Sequence, residues 1–337
     1  MSSVMERLYL GEDLSFGDTQ SSIQAIIKGQ LSEAEIAALL VALKIKGESA
    51  EEIAGAASAL RQSARPFNKS NAAVADTCGT GGDGMSTINI STMVSLVAAE
   101  CGVKVAKHGN RSVSSKCGSS DLLESFGIKL DATTANAEHS LEQENFCFLF
   151  APHYHPGVKF VMPVRTALKT RTLFNLIGPL ANPASPEIQL MGVYDATLLE
   201  TMANALHNLG CKKAFVVNGG GLDEIALHTH TDVAYLNNGV VDQITITPQD
   251  AGIKPVKLSE LQLEQPEEIF AALKSVLRGE GKQAHIDAIA INAAAVLLLA
   301  DKVTDLKQGA ELAYQTIASG KLIERVDRIA EISHAVK

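Results

Sequence analysis

AVADTCGTGGDGMSTINISTMVSLVAAE, residues 73–100, decides the fold. It opens on a short apolar run, Ala73–Asp76, and passes through four glycines in the six residues Gly79–Gly84. It then continues as an apolar helix-forming segment, Ile88–Glu100. Strand, glycine turn and helix in that order start an α/β unit. Downstream, Val103–Ala106, Cys147–Phe150, Gln189–Val193 and Ala214–Val217 read as strands. Ser119–Phe126, Thr197–Leu209 and several segments after residue 265 read as helices. Thr197-x-x-Glu200 has the form of a capping box and Gly210 of a helix stop. This alternation predicts a largely parallel central sheet. Val233–Leu236 and Gln243–Thr247, around Asn237-Asn238-Gly239, add an antiparallel excursion.

Upstream, residues 1 to about 65 read as all helix. Ser32-x-x-Glu35 and Ser49-x-x-Glu52 are capping boxes, and Ile36, Leu39, Leu40 and Leu43 mark one apolar helical face that Gly47 ends. Pro66–Asn71 reads as a linker. The expected fold class is therefore α/β: a small N-terminal all-helical domain followed by a larger α/β domain with a mostly parallel sheet.

Composition narrows the function. The chain has 337 residues, 46% apolar and 20% charged, which excludes disorder, collagen and coiled coil as the main architecture. A net charge of -9 makes general binding to nucleic acid or anionic membranes unfavourable. The longest apolar run, Ala288–Ala300, contains Asn292 and is too short to cross a bilayer, so a buried helix is expected. The first residues carry Glu6 and no apolar signal core. Five scattered cysteines without a C-x-x-C pair point to a reducing cytoplasm.

Against that acidic background, local cation excess is informative. The glycine loop lets backbone approach a ligand, and the helix after it presents free N–H groups and a positive dipole end. Its spacing is neither G-x-G-x-x-G nor G-K-[ST], so a Rossmann or Walker A site is unsupported. VKVAKHGNRSVSSKCGSS, residues 103–120, holds Lys104, Lys107, Arg111 and Lys116, many hydroxyls and no acid. Together with the glycine loop it predicts a polyphosphate ligand. Asp223-Glu224 follows a strand and the turn Asn218–Gly221, a position suited to Mg²⁺, which takes one or two carboxylates beside substrate phosphates. From Asn145 to Pro186 there is no Asp or Glu, leaving the planar fork of Arg165 available for a ligand carboxylate. His153/His155 and His228/His230 lack a third partner at zinc spacing and read as hydrogen-bonding or surface histidines.

The segments Gly79–Gly84, Asn89–Thr92, Lys107–Ser115, Arg171–Asn175, Gly178–Leu180 and Gly221–Glu224 closely resemble the anthranilate phosphoribosyltransferases of tryptophan biosynthesis, and the likeness covers nearly the whole chain. It implies a hinged pair of domains of the nucleoside phosphorylase and phosphoribosyltransferase type. Residues 1–68, with part of 160–183 packed on them, would form a helical dimerisation domain, and residues 72–337 the α/β domain. The resemblance implies that Gly79, Gly82, Asp83, Thr87, Asn89, Ile90, Ser91 and Thr92 bind 5-phosphoribosyl 1-pyrophosphate. It adds Lys107, His108, Gly109, Asn110, Arg111, Ser112, Val113, Ser114, Ser115 and Ser119 to the same ligand. Gly79, Asn110 and Arg165 would bind anthranilate. Ser91, Asp223 and Glu224 would hold Mg²⁺, with two ions expected, and Lys107, Asp83 and Arg165 would serve catalysis. A homodimer in the cytoplasm is implied. Asn218 stands where a His is expected, and Cys78 where an aliphatic residue is common.

The implied reaction joins an aromatic amine to the sugar's C1 and expels pyrophosphate, through an oxocarbenium-like centre. No side chain is an obvious strong base, and His108 is a candidate only by adjacency. A pyrimidine nucleoside phosphorylase needs no pyrophosphate-metal site, so Asp223-Glu224 favours the transferase. A non-catalytic nucleic-acid-binding relative is disfavoured by the acidic charge and 4% aromatic content.

Overall fold

The computed structural model describes residues 2–69, 73–111 and 117–335. Ser70 and Asn71 of the expected linker, and Ser112, Val113, Ser114, Ser115 and Lys116 of the basic loop, lie outside them.

Four helices come first: α1 (Ser2–Tyr9), α2 (Phe16–Ile27), α3 (Glu33–Lys46) and α4 (Ala50–Ser63). Both expected capping boxes form, at Ser32/Glu35 and Ser49/Glu52. Glu52 is fully buried because it also accepts from Leu14 N and pairs with Lys46.

Strand and helix then alternate through β1 (Ala75–Asp76), α5 (Ile90–Glu100), β2 (Val105–Gly109), α6 (Ser119–Ser125), α7 (Thr134–Glu144) and β3 (Phe146–Phe150). Three short helices follow: α8 (Ala151–Tyr154), α9 (Met162–Leu168) and α10 (Leu173–Leu176). Next are β4 (Ile188–Gly192), α11 (Leu199–Asn208), β5 (Lys213–Asn218), β6 (Thr231–Asn237) and β7 (Val240–Ile246). The chain closes with α12 (Pro266–Leu277), α13 (Gln283–Leu299), α14 (Leu306–Ala318) and α15 (Leu322–His334).

The seven strands form one sheet in the order β3-β2-β1-β4-β5-β6-β7. The first five are parallel, and β6 and β7 are the antiparallel excursion. Asn238 and Gly239, both at positive φ, make the tight hairpin between them. Strand order reverses between β1 and β4. At such a switch point the loops leaving the strand ends diverge and open a crevice.

Two local readings are corrected. β2 extends past Ala106 to Gly109, because Lys107 and His108 are buried despite their polarity and stay paired with β3. Thr197 does not cap α11: Asp195 caps a 3-10 turn over residues 196–198, accepting from Thr197 N, and α11 starts at Leu199.

One core lies between the sheet and α5, α13, α14 and α15. A second joins α1–α4 to α11, the far face of β4 and β5, and Val161, Val164, Leu173, Phe174, Leu176 and Ile177, and a smaller third lies between β2, β3 and α7. Residues 161–177 are thus packed on the helical bundle. Within the apolar run, α13 is buried along nearly its whole length.

Candidate active site

The crevice at the β1/β4 switch point is a cavity of about 370 Å³. Gly81, Gly82 and Gly84 take positive φ, so the chain leaving β1 folds back over the strand ends. Thr80 N donates to Gly192 O at 2.9 Å, and Tyr194 N to Thr80 Oγ1 at 3.2 Å, tying the loop to the end of β4. Asn89 caps α5 by accepting from Thr92 N and donates to Cys117 O, so the helix start is tied to the resumed basic loop.

Most of the expected site residues meet here. Gly79, Gly82, Asp83, Thr87, Asn89, Ile90, Ser91, Lys107, His108, Gly109, Asn110, Arg111, Ser119, Arg165, Asp223 and Glu224 all line the cavity. Thr92 does not: it is fully buried within the first turn of α5. Arg171, Phe174, Asn175, Pro179 and Tyr194 line it as well. Arg171, Phe174, Asn175 and Pro179 sat in quoted motifs without an assigned role, and Tyr194 carried no local signal.

Lys107 is 1% exposed, with Nζ donating to Thr77 O, Thr77 Oγ1 and Ser91 Oγ at 3.1–3.3 Å. Its charge is set in the wall of the cavity beside Asp76 and Glu224, rather than extended on a free loop. Arg111 is turned partly away from the cation excess read in the sequence. It pairs with Asp121 and Glu124 of α6, acids just beyond the acid-free run.

Asp223 and Glu224 are packed close under the glycine loop, with Gly81 N donating to Asp223 Oδ2 at 2.9 Å. Burial, then the neighbouring Asp83, pushes Asp223 up to about 7. Burial and Asp223 push Glu224 well above the usual carboxylate range, against the pull of Lys107. Acids crowded in this way with one nearby ammonium lack positive charge, and a hard divalent cation would supply it. The described residues contain no cluster of three or more His, Cys, Asp or Glu able to cage a metal. Two adjacent carboxylates fit Mg²⁺, which takes one or two of them and shares its other positions with phosphate oxygens and water.

Support for this acidic turn comes from two residues far away in sequence and one at its start. Gly192 lets Asp223 pass over the end of β4: a Cβ there would stand 1.5 Å from the Asp223 carbonyl oxygen. Asn292, the polar interruption in α13, accepts from Ile225 N at 2.9 Å and donates to Ile225 O at 3.0 Å. Asn218 donates to Val193 O and accepts from Gly221 N, so it holds the turn that an expected His would otherwise occupy.

Arg165 is partly buried, its guanidinium carbon 5.8 Å from the Phe174 ring centroid. Burial lowers its pKa, and its nearest hydrogen-bond acceptor is the Met162 thioether at 3.9 Å. Among the described residues no carboxylate neutralises it, which suits it to an anionic ligand. His108 is corrected as a base. Burial, then His155, lowers it to about 3, and Nδ1 lies 3.1 Å from Gly178 O, which makes Nδ1 the protonated nitrogen. His155 is not a surface residue: it is buried, edge to face with His108 at 5.3 Å. Burial pushes the Cys78 thiol up to about 12, leaving little thiolate for reaction. Three successive carbonyls of the hinge motif, Gly178, Pro179 and Leu180, accept from His108, Gln189 and Arg61.

A helical bundle, a mostly parallel sheet and a crevice that joins a glycine loop to an acidic turn fit a two-part glycosyltransferase. The helical bundle domain of the glycosyl transferase family matches residues 2–64, and the family's α/β domain matches residues 71–323. Anthranilate phosphoribosyltransferase from Tolumonas auensis is 50% identical over 99% of both chains, and that from Aeromonas salmonicida 51% over 98% of both. The crystal structure of the Thermus thermophilus anthranilate phosphoribosyltransferase superposes with a TM-score of 0.93 at 40% identity, covering 98% of this chain and 99% of the other. A Saccharomyces cerevisiae structure in complex with PRPP and Mg superposes at 0.90 with 26% identity, covering 99% and 98%. The chain belongs to the anthranilate phosphoribosyltransferase family.

Proposed function

We propose that the chain transfers the 5-phosphoribosyl group from 5-phosphoribosyl 1-pyrophosphate to the amine of anthranilate, releasing pyrophosphate, in tryptophan biosynthesis. The observation that carries this reading is one cavity lined by a glycine loop, the start of α5, an acidic turn and an arginine with no acid paired to it among the described residues. The first two suit phosphate, the third a metal, and the last a carboxylate.

Glycine-loop N–H groups, the start of α5 and Lys107 hold the phosphates. Asp223 and Glu224, with Ser91, would hold Mg²⁺, two ions being proposed. The metal would neutralise charge on the departing pyrophosphate. Arg165 and Asn110 orient anthranilate by its carboxylate, placing the amine toward C1. The amine is neutral at pH 7. The anilinium formed when the C–N bond closes is strongly acidic, so water suffices to take its proton.

Residues 1–68, with part of 160–183, are proposed as a helical dimerisation domain, and 72–337 as the catalytic α/β domain. Support for a homodimer comes from exposed apolar side chains on the bundle and the adjoining segment: Tyr9, Leu10, Ile45, Phe160 and Met162. A cytoplasmic location is proposed with the biosynthetic role. Among the described residues no helix is long and apolar enough to cross a membrane.

The test is anthranilate fluorescence in the presence of the sugar pyrophosphate and Mg²⁺. Emission should decay only when all components are present, with pyrophosphate released in equal amount. A flat trace with folded protein would reject the reading.

A further inference from the structure

We infer that Arg171 is a positioning residue that braces the glycine loop from the helical-bundle side of the crevice. The inference rests on the cavity being the sugar-pyrophosphate site. Arg171 follows Lys169, whose φ of 49° turns the chain sharply after α9. It precedes Thr172, whose N–H is capped by Asn175 Oδ1 at 3.0 Å. Both neighbouring helices, α9 and α10, pack against α3, so the base of Arg171 moves with the bundle.

Its side chain reaches the other wall. One terminal nitrogen, NH2, donates to Gly82 O in a short hydrogen bond. The guanidinium lies over the Tyr194 ring, its central carbon 3.7 Å from the ring centroid. Tyr194 in turn donates its backbone N–H to Thr80 Oγ1 in the same loop. Arg171, Gly82, Tyr194 and Thr80 therefore close a ring of contacts around the loop. Gly82 is at φ 81°, and a Cβ there would meet the Arg171 nitrogen at 3.2 Å, so the lack of a side chain lets the guanidinium seat on the carbonyl.

The chemistry suits a brace. A carbonyl and an aromatic face hold a guanidinium without neutralising it. Asp195 is close enough for the charge of Arg171 to favour its ionised form, but its carboxylate is occupied by Thr197 N and Oγ1. A glycine-rich loop has much conformational freedom to lose when it closes on phosphate. Holding Gly82 beforehand reduces that cost, and the benefit falls on binding of the sugar pyrophosphate.

The experiment uses the full-length enzyme and the variants Arg171→Ala and Arg171→Lys. In the ligand-free protein, amide hydrogen exchange over residues 79–85 should quicken roughly tenfold or more in Arg171→Ala, the loss of one charge-assisted bond. KM for the sugar pyrophosphate should rise by a similar factor. KM for anthranilate and kcat at saturation should stay within about threefold. Arg171→Lys keeps a donor for Gly82 O but loses the guanidinium over the Tyr194 ring, and should recover part of both effects. Unchanged loop exchange overturns the brace. If it is accompanied by a raised KM, Arg171 is itself a phosphate ligand. Should wild type consume no anthranilate, the reaction assignment fails, while the exchange result still tests the brace.

Discussion

Replacing Gly192 by alanine puts the placement of the acidic turn to a direct test. Its Cβ would lie 1.5 Å from the Asp223 carbonyl oxygen and 2.3 Å from the carbonyl carbon, whereas ordinary contact begins near 3.4 Å. The Asp223 peptide would have to retreat by about 2 Å, and misplacement near 1 Å is enough to cost about 10²-fold in rate. Retreat is resisted on both sides. Asp223 Oδ2 is tied to Gly81 N, and Ile225 is held at both its N–H and its carbonyl by Asn292. Strand β4 cannot yield instead, because it is paired with β1 and β5. With backbone that near and neither side free to yield, the strain should cost roughly 3 kcal/mol of stability or more, at or beyond the upper end of overpacking. Gly192→Ala should therefore fold, melt lower, lose at least about a hundredfold in kcat/KM and need more Mg²⁺ to reach half-maximal rate. Gly17→Ala is the control. Gly17 is exposed near the start of α2 with no tight neighbour, so alanine there should raise the melting temperature slightly and leave kinetics alone. The assay is initial rate against Mg²⁺ at saturating substrates, beside thermal melts. Wild-type metal dependence in folded Gly192→Ala would refute the placement of Asp223 and Glu224 as metal ligands.

Arg165→Ala should raise KM for anthranilate and shrink the preference for anthranilate over aniline; an unchanged kcat/KM ratio for the two amines would remove Arg165 from the acceptor site. Lys107→Met should weaken the sugar pyrophosphate about ten- to hundredfold by calorimetry and also lower stability, since Asp76 and Glu224 lose their neighbouring ammonium. Asn292→Leu strands the Ile225 N–H and carbonyl, at about 1–3 kcal/mol each, and should raise the Mg²⁺ requirement with the melting loss. Burial holds His108 and His155 neutral at about 3 and about 4, so the unfolded chain binds their protons first, and their contribution, full above pH 6.5, is lost as pH falls toward 4 and 3. Buried Asp76 at about 6 acts in the opposite direction, so the check is a difference: between pH 7.5 and 5.5, urea unfolding of wild type should lose about 1 kcal/mol more than that of His155→Gln.

The alternation of short apolar runs with helices was legible because each core face repeats locally. Ile36, Leu39, Leu40 and Leu43 are all buried on one side of α3, and the apolar run around Asn292 is a buried helix. Boundaries were misread where polarity and burial part company. Lys107 and His108 continue β2 because the cavity, not solvent, is their surroundings. Thr197 lost its capping role to Asp195, two residues earlier, since either residue type can accept from an N-terminal N–H.

The site divides along the same physical line. Residues that touch a ligand advertise their chemistry locally: glycines in a turn, a basic run, an acidic pair, an arginine in a span without acids. Residues that aim them do not, because their partners lie far along the chain. Asn292 meets Ile225 only after α13 has packed against the sheet, and in the sequence it was no more than a polar break in an apolar run. Gly192 is an ordinary strand-end glycine until the chain returns at Asp223, and Arg171 is one cation among several until Gly82 and Tyr194 face it. The same distinction orders the variants. Changing Arg165 should alter which substrate is accepted, because the group that meets the ligand is gone. Changing Gly192 or Asn292 should leave every ligand-meeting group in the chain and still cost activity, because charge stabilisation in a closed site depends on where the carboxylates stand before the reaction begins. A series in which Gly192→Ala and Asn292→Leu lost activity only in proportion to lost folding would show that the turn's position carries no kinetic weight of its own.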